Sequence, residues 1–354
     1  MNALLIPIYE PTDKVLPFLS EFQKDDFDVF LVVDDGSGDD YAAIFAEAKE
    51  KTVFPVLSYP TNKGKGHALK TGLRKLLSEH PDLDFVVTAD GDGQHTREDI
   101  LKVRDFAAKT PSKVILGSRD FSSAPPKSAS GNKWSARYFT LSTGVKIRDC
   151  QTGLRAIPHE AFDMALHTYG NRFDFEMNFL LPASREFGIR EVPIQTIYED
   201  GNRGTHFRPV ADSLLIMRTP IAYLIVGLLS FATDMVAFYL LQRFAFVNAA
   251  TVGMDLLLSY LCALAISAPF NYAMLGTVVF HHSRLFHNAL YKFVVLALTC
   301  TLSSFFFTWT LSLIGVPIML SKAIFDVMFG ITKYFINLLL VFANRKFGNK
   351  KELH

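Results

Sequence analysis

The chain is poor in cysteine, in tryptophan and, over one long stretch, in charge. It has three cysteines (Cys150, Cys262 and Cys300) and two tryptophans among 354 residues. Three is an odd number and two of them lie in apolar runs, so no disulfide framework is expected. The net charge of +1 removes the electrostatic case for a nucleic-acid partner. That average conceals a split. Residues 1 to 218 carry 58 charged side chains, whereas residues 219 to 344 carry eight: Asp234, Arg243, Asp255, Arg284, Lys292, Lys322, Asp326 and Lys333. The amino terminus, "MNALLIPIYEP", lacks a basic leader and breaks its apolar run at Pro7, so it reads as a first strand and not as a signal peptide.

The charge-poor half has the pattern of membrane helices. Uncharged stretches run from Ile221 to Thr233 and, past Asp234, on to Leu241, then from Leu256 to Phe280 and from Phe293 to Ile314. A fourth apolar segment, Val316 to Val341, contains Lys322, Asp326 and Lys333. A helix crosses the hydrocarbon core with roughly 20 residues. Four spans are therefore expected, at about 219–242, 255–280, 290–314 and 316–343, in a membrane domain of 216–347 followed by a basic tail, 348–354. Arg218, Arg284 and Lys292, and the group Arg345, Lys346, Lys350 and Lys351 flank alternate ends of these spans, which puts both termini on the cytoplasmic side. Asp234 and Lys333 lie well inside their spans and are expected to face the domain interior, with Asp326 on the same helix face as Lys333. The segment from Tyr223 is similar in layout to that from Tyr291, and the segment from Leu258 to that from Leu320, a faint duplication of two helical hairpins.

In the charged half, apolar runs alternate with helical patterns: Ala3 to Ile8, Val29 to Val33, Val53 to Leu57, Phe85 to Thr88 and Val114 to Leu116. This is the pattern of a mostly parallel α/β sheet, which binds ligands beyond the carboxyl ends of its strands. Four polar sequences fall there: "PIYE", "VDDGSGDD", "TADGDGQH" and "GSRDF". "NKGKGHALKTG" is neither a Walker loop, having no closing Gly-Lys-Ser/Thr, nor a Rossmann fingerprint, because Leu69 replaces the third glycine. "DGDGQH" is not an EF-hand, since His95 stands where the loop glycine belongs and Leu101 where a bidentate glutamate does. What remains is a shallow set of oxygen ligands, Asp90, Asp92 and Gln94, suited to Mg²⁺ or Mn²⁺ that draws its other ligands from phosphates and water.

"IPIYEP", "VVDDGSGDD", "NKGKGHALKTGL", "TADGDGQH", "GSRDF" and "DCQTGLRAI" resemble, in order and spacing over about residues 1–215, the motifs of family 2 GT-A glycosyltransferases. They are most similar to the branch that glycosylates polyprenyl phosphates, such as dolichol-phosphate mannose synthases. The membrane half resembles the GtrA-like four-helix module. The resemblance implies a GT-A domain, Rossmann-like with a mostly parallel sheet, followed by an all-α transmembrane domain. It assigns Pro7, Tyr9, Glu10 and Asp35 to the nucleotide, and Asn62, Gly64 and Gly66 to close backbone approach to the donor. Asp92 and Gln94 would hold the metal, with Asp90 beside it or bonded to the donor, and Arg203 and His206 would sit on the closing loop near donor phosphate. Arg119, followed by Lys127, Ser128 and Arg137, would clamp the acceptor phosphate; Arg155 and Glu176 complete the site, and Asp149 either orients the acceptor or sugar or caps the turn before "QTGLR". The pattern departs at Ala124, where related synthases tend to have arginine.

The activity implied is inverting transfer of one sugar from a nucleotide sugar to a membrane polyprenyl phosphate, undecaprenyl or dolichyl. UDP-glucose or UDP-N-acetylglucosamine is the preferred donor and GDP-mannose the next, with homo-oligomerisation left open. Three rivals stand beside it. A processive polysaccharide synthase would carry Gln-x-x-Arg-Trp, which is absent. A nucleotidyltransferase would want a Gly-rich phosphate-binding opening near the first strand, and "IPIYEP" has no glycine. A flippase of lipid-linked sugar with an accessory transferase domain is the third.

Overall fold

The computed structural model describes residues 1–119, 126–195, 218–246, 252–279 and 286–337. The chain divides into two compact units, Met1–Ile216 and Met217–Asn344.

The first unit is built on a seven-stranded sheet of order β3-β2-β1-β4-β6-β5-β7. Its strands are β1 (Asn2–Ile8), β2 (Val29–Asp34), β3 (Val56–Ser58), β4 (Phe85–Thr88), β5 (Val114–Arg119), β6 (Arg155–Pro158) and β7 (Ile189–Ile194). All pairings are parallel except those of β6, which runs antiparallel to both β4 and β5. β1, β2, β4 and β5 therefore end on one rim, and β6 begins there. Alternation along the strands supplies two faces. Ala3, Leu5, Leu31, Val33 and Val86 pack under α3 (Lys65–Glu79), α6 (Phe162–His167) and α7 (Asp174–Glu186). Leu4, Ile6, Val32, Val87 and Ile115 pack under α1 (Val15–Ser20), α2 (Ala42–Lys51) and α4 (Arg97–Lys109). α3 lies close on the sheet because Gly72 faces it: a Cβ there would come within 2.4 Å of Leu5 Cδ1.

The sequence reading placed the third strand too early, at Val53–Leu57, and did not anticipate β6 or β7. β6 is only four residues long, and β7 contains Pro193, which argues against a strand interior on sequence grounds.

The second unit contains helices at Arg218–Leu240, Val252–Met274, Phe286–Leu313 and Ile318–Ile336, the first two extended by π turns at Leu241–Ala245 and Leu275–Val279. The first packs with the second, and the third with the fourth. Among the described residues three segments are long and apolar enough to cross a membrane: Ile221–Ala245, Gly253–Val279 and Leu290–Leu313. The fourth helix carries Lys322, Asp326 and Lys333, so the expected four spans stand at three by length and composition. The interior charges also differ from expectation. Asp234 does pair, but with Lys322 (2.6 Å), which also reaches Asp326 (2.7 Å); Lys333 is half-buried outside this cluster.

Candidate active site

The rim is assembled by three local structures. At the end of β2, Asp34 makes a tight turn by accepting from the Ser37 N–H (2.9 Å), and Ser37 Oγ accepts in turn from the Glu10 N–H (2.9 Å). Glu10 has a φ of 47°, uncommon for a residue with a side chain, and that turn holds it. Beside it the hydrogen bond with Glu10, aided by burial, raises the Tyr9 phenol above its ordinary value. Pro7 is buried.

Asp35 is held by bonds within the protein. Its carboxylate accepts from Tyr59 Oη (2.5 Å), Asn62 Nδ2 (3.1 Å) and the backbone N–H groups of Lys63 (3.0 Å) and Gly64 (2.9 Å). It is 3% exposed and ties the end of β2 to the loop before α3. Burial, followed by the bond to Asp35, drives the Tyr59 phenol far up, which keeps it a donor. The glycines of this loop face protein. A Cβ on Gly64 would fall 2.5 Å from the Asn171 carbonyl oxygen, and one on Gly66 would fall 2.5 Å from Phe175 Cβ. The structural demand on both is contact with the segment entering α7. Lys70 fixes that segment by donating to the carbonyls of Thr168 and Gly170 and to Asn171 Oδ1.

The third structure is a charge network around "DGDGQH". Asp90 Oδ1 lies 2.5 Å from Lys65 Nζ, which also donates to Glu176 Oε1 at 2.6 Å. Arg155 NH2 stands 3.8 Å from Glu176 Oε2 and donates to the Cys150 carbonyl, while Nε and NH1 hold the carbonyls of Thr152 and Glu176. His95 Nε2 is 3.7 Å from Asp90 Oδ2, and the ring is buried, its Nδ1 without a partner among the described residues. Gly153 makes room for Asp90: a Cβ there would sit 2.2 Å from its Oδ1. Burial alone would raise the Asp90 carboxyl, but Lys65 and His95 outweigh it and hold the group far below the carboxylate range. For Lys65, burial works against the charge, and Asp90 and Glu176 more than compensate, so the ammonium is raised.

Asp92 is the exception in this network. Burial, then repulsion from Asp90, raises its carboxyl above the ordinary value, and the bond from the Gln94 N–H (3.0 Å) does not offset them. A crowded carboxylate with too little positive charge nearby, set among oxygen donors, fits a hard divalent cation. Among the described residues no group of three or more His, Cys, Asp or Glu is arranged to hold a metal unaided. The set Asp90, Asp92 and Gln94 is thus a partial one that needs further oxygens from a bound ligand.

On the β5 side, Arg119 engages Asp149 through Nε (2.6 Å) and NH2 (3.1 Å). Asp149 is fully buried and also accepts from the Gln151 N–H (3.1 Å), so it both caps the "QTGLR" turn and neutralises Arg119. Arg119 therefore stands on the rim as half of an ion pair and not as an open cation. Arg137 is exposed on α5 (Pro126–Thr143); the side chains of Lys127 and Ser128 on that helix, and all of Arg203 and His206, lie outside the described residues. The sequence reading missed Lys65 and His95. A lysine opening a helix opposes the helix dipole, and that mismatch was the available signal at Lys65.

Two family models match the chain: "Glycosyl transferase family 2" over residues 5–166, and "GtrA/DPMS, transmembrane domain" over residues 222–342. The chain belongs to glycosyltransferase family 2. It is a glycosyltransferase whose second unit is a GtrA-like membrane domain. A relative in Methanococcus voltae, named UDP-N-acetylglucosamine–dolichyl-phosphate N-acetylglucosaminyltransferase, is 29% identical over 225 residues, 57% of this chain and 89% of that protein. An uncharacterized protein of Methanocaldococcus jannaschii is 30% identical over 213 residues, 57% of this chain and 85% of its own. Glycosyltransferase AglJ of Haloferax volcanii is 27% identical over 223 residues, 60% of this chain and 69% of its own. A solved glucosyl-3-phosphoglycerate synthase from Mycobacterium tuberculosis matches 63% of this chain and 78% of its own at 16% identity, with a TM-score of 0.48. That likeness is too distant to bear on chemistry.

Proposed function

We propose that this family 2 enzyme transfers one sugar from a nucleotide sugar to a polyprenyl phosphate, through a catalytic domain of residues 1–215 held at the cytoplasmic face by the membrane domain of 216–347. The observation that carries the reading is the under-neutralised Asp92 beside a braced Asp90 on the rim where the strands end. The printed activity of the Methanococcus relative favours UDP-N-acetylglucosamine as donor and a dolichyl-type phosphate as acceptor. UDP-glucose is the second donor and GDP-mannose the third.

The reaction asks little proton chemistry of the protein. An oxygen of the acceptor phosphate, already anionic near neutral pH, forms the new bond to the anomeric carbon from the face opposite the leaving group. The bond from that carbon to the nucleoside diphosphate breaks, and the diphosphate departs with the electron pair. The configuration inverts, giving a β-linked product from an α-linked donor. No general base is needed, and the protein's task is to place charge.

In this reading Asp92 and Gln94, with Asp90 beside them, would hold Mg²⁺ or Mn²⁺, which would supply positive charge to offset that on the leaving diphosphate. Lys65 keeps Asp90 ionised and in position between Glu176 and Gly153. Asp35 acts at one remove, by fixing the Asn62–Gly64 loop beside the nucleotide pocket of Pro7, Tyr9 and Glu10. Arg203 and His206 are assigned to the donor phosphates. The acceptor phosphate is assigned to the side bounded by the Arg119–Asp149 pair, with Lys127, Ser128 and Arg137 as its further contacts. The test offers purified protein a panel of nucleotide sugars with a polyprenyl phosphate and determines the anomeric configuration of the product by NMR. A β-linked phosphodiester from a UDP-sugar supports the proposal; an α-linked product refutes inversion.

A further inference from the structure

The second unit gathers its interior charge at one depth. Asp234 lies 13 residues from the start of the span Ile221–Ala245 and 11 from its end; Ser267 lies 14 and 12 residues from the ends of Gly253–Val279. These two positions are joined, since Ser267 Oγ donates to Asp234 Oδ1 at 2.9 Å. Lys322 Nζ, from the fourth helix, donates to Asp234 Oδ2 (2.6 Å) and to Asp326 Oδ2 (2.7 Å), and Ser304 of the third helix donates to Asp326 Oδ1 (2.7 Å). All four helices thus meet in one polar cluster near the middle of the spans.

The cluster is also where the two hairpins meet: Asp234 and Ser267 belong to the first, Ser304, Lys322 and Asp326 to the second. Sites at the junction of two repeats, at mid-membrane depth, are where transport proteins place ionisable groups. The charge count does not close. Two carboxylates face one ammonium, and among the described residues no second cation bonds either of them. The remaining neighbours add no charge: Lys322 Nζ sits over the rings of Tyr260 (4.2 Å) and Phe238 (4.9 Å), and Tyr260 Oη donates to Thr308 Oγ1 (2.8 Å). Among the described residues Tyr260 is the other titratable group facing the cluster, and the first and third helices present Phe238, Ser304 and Thr308. The ammonium side chain is sealed at 2% exposure, whereas those of Asp234 and Asp326 retain 18% and 21%.

We infer that the Asp234–Lys322–Asp326 cluster is a proton-binding site of the membrane domain, with one exchangeable proton held on its two carboxylates. The bound proton brings the cluster from −1 to neutral at the depth where a net charge is least tolerated. It also acts on packing. The Lys322–Asp326 bond joins residues four apart in one helix, whereas Lys322–Asp234 links the second hairpin to the first. A proton on Asp234 weakens the link between hairpins and leaves the internal pair intact, so occupancy of the site sets how firmly the hairpins are joined.

The test uses the full chain in phosphatidylcholine vesicles and dicyclohexylcarbodiimide, which attacks protonated carboxyls in apolar surroundings, with adducts located by mass spectrometry. No sugar donor is present, so the outcome is independent of the transfer reaction. The expected result is an adduct on Asp234 or Asp326 whose yield falls as pH rises and is unchanged by exchanging Na⁺ for K⁺. Asp326→Asn leaves one carboxylate for one ammonium and should abolish the adduct at Asp234. Lys322→Met should extend labelling to higher pH. Three results overturn the inference: no adduct on either residue at any pH, labelling blocked by Na⁺ but indifferent to pH, or an undiminished Asp234 adduct in Asp326→Asn.

Discussion

Lys65→Met removes the cation that two carboxylates share. The Lys65 side chain is 16% exposed, Asp90 is 29% exposed and Glu176 is 7% exposed, so solvent replaces little of what is lost. After the change, among the described residues, Glu176 keeps Arg155 as its charged partner, at 3.8 Å, and Asp90 keeps His95, at 3.7 Å. Breaking a buried ion pair from one side costs about 3–5 kcal/mol. With a urea dependence of about 3 kcal/mol per molar for a unit of this size, the unfolding midpoint should fall by about 1–1.7 M. Cys150 gives a probe confined to the first unit, because the other two cysteines lie in the second. It is fully buried, and burial followed by the Asp149 carboxylate pushes its thiol up to about 12, so it reacts only on unfolding. Thiol labelling of Cys150 in the full chain, read by mass spectrometry across a urea series, measures the midpoint. The pH dependence has a definite sign. The lowered Asp90 carboxyl contributes stability that is present above the ordinary carboxylate value and is lost as pH falls through its lowered one. Lys65→Met should therefore cost most near neutral pH and progressively less in acid. An unchanged midpoint at neutral pH, or a deficit that grows in acid, would refute the assignment of Lys65 as the centre of the network.

Other expectations follow from the same geometry. Asp92→Asn should abolish transfer yet raise the urea midpoint in metal-free buffer, because it removes a carboxylate disfavoured by burial and by Asp90; a lowered midpoint would contradict this. Gly153→Ala places a Cβ on the Asp90 carboxylate and should cut turnover about 100-fold, the scale of an ångström's misplacement, and lower the Cys150 midpoint as Asp90 is pushed away from Lys65. Arg119→Ala leaves Asp149 buried and unpaired and should destabilise by about 3 kcal/mol. Adding Asp149→Leu should recover most of that in the labelling assay, while the acceptor KM stays raised.

What the sequence made legible was whatever is local. β1 and β4 are short apolar runs closed by polar residues, and they appear within one residue of expectation. The convergence of the "VDDGSGDD", "TADGDGQH" and "GSRDF" segments on one rim followed from a parallel sheet, because such strands all end on the same side. Long-range pairing was not legible. Nothing near Asp35 in the chain announces its four partners, Tyr59, Asn62, Lys63 and Gly64, which lie 24 or more residues away. Arg119 looked like an open cation for the same reason, since Asp149 is 30 residues on. In the membrane domain, helical spacing put Lys333 on the face of Asp326, but Lys322 at the four-residue spacing took the contact and reached Asp234, 88 residues away. Gly64 and Gly153 were visible as motif glycines, but what they accommodate, Asn171 and Asp90, is tertiary.

The measurement that tests the account most directly is transfer of radiolabel from UDP-N-acetylglucosamine, UDP-glucose and GDP-mannose into butanol-extractable lipid, by purified full-length protein with a polyprenyl phosphate and Mn²⁺. Label should enter the lipid phase from a UDP-sugar, dependent on the phosphate of the acceptor and absent with Asp92→Asn. Equal transfer to the unphosphorylated polyprenol, or undiminished transfer by Asp92→Asn, would contradict it.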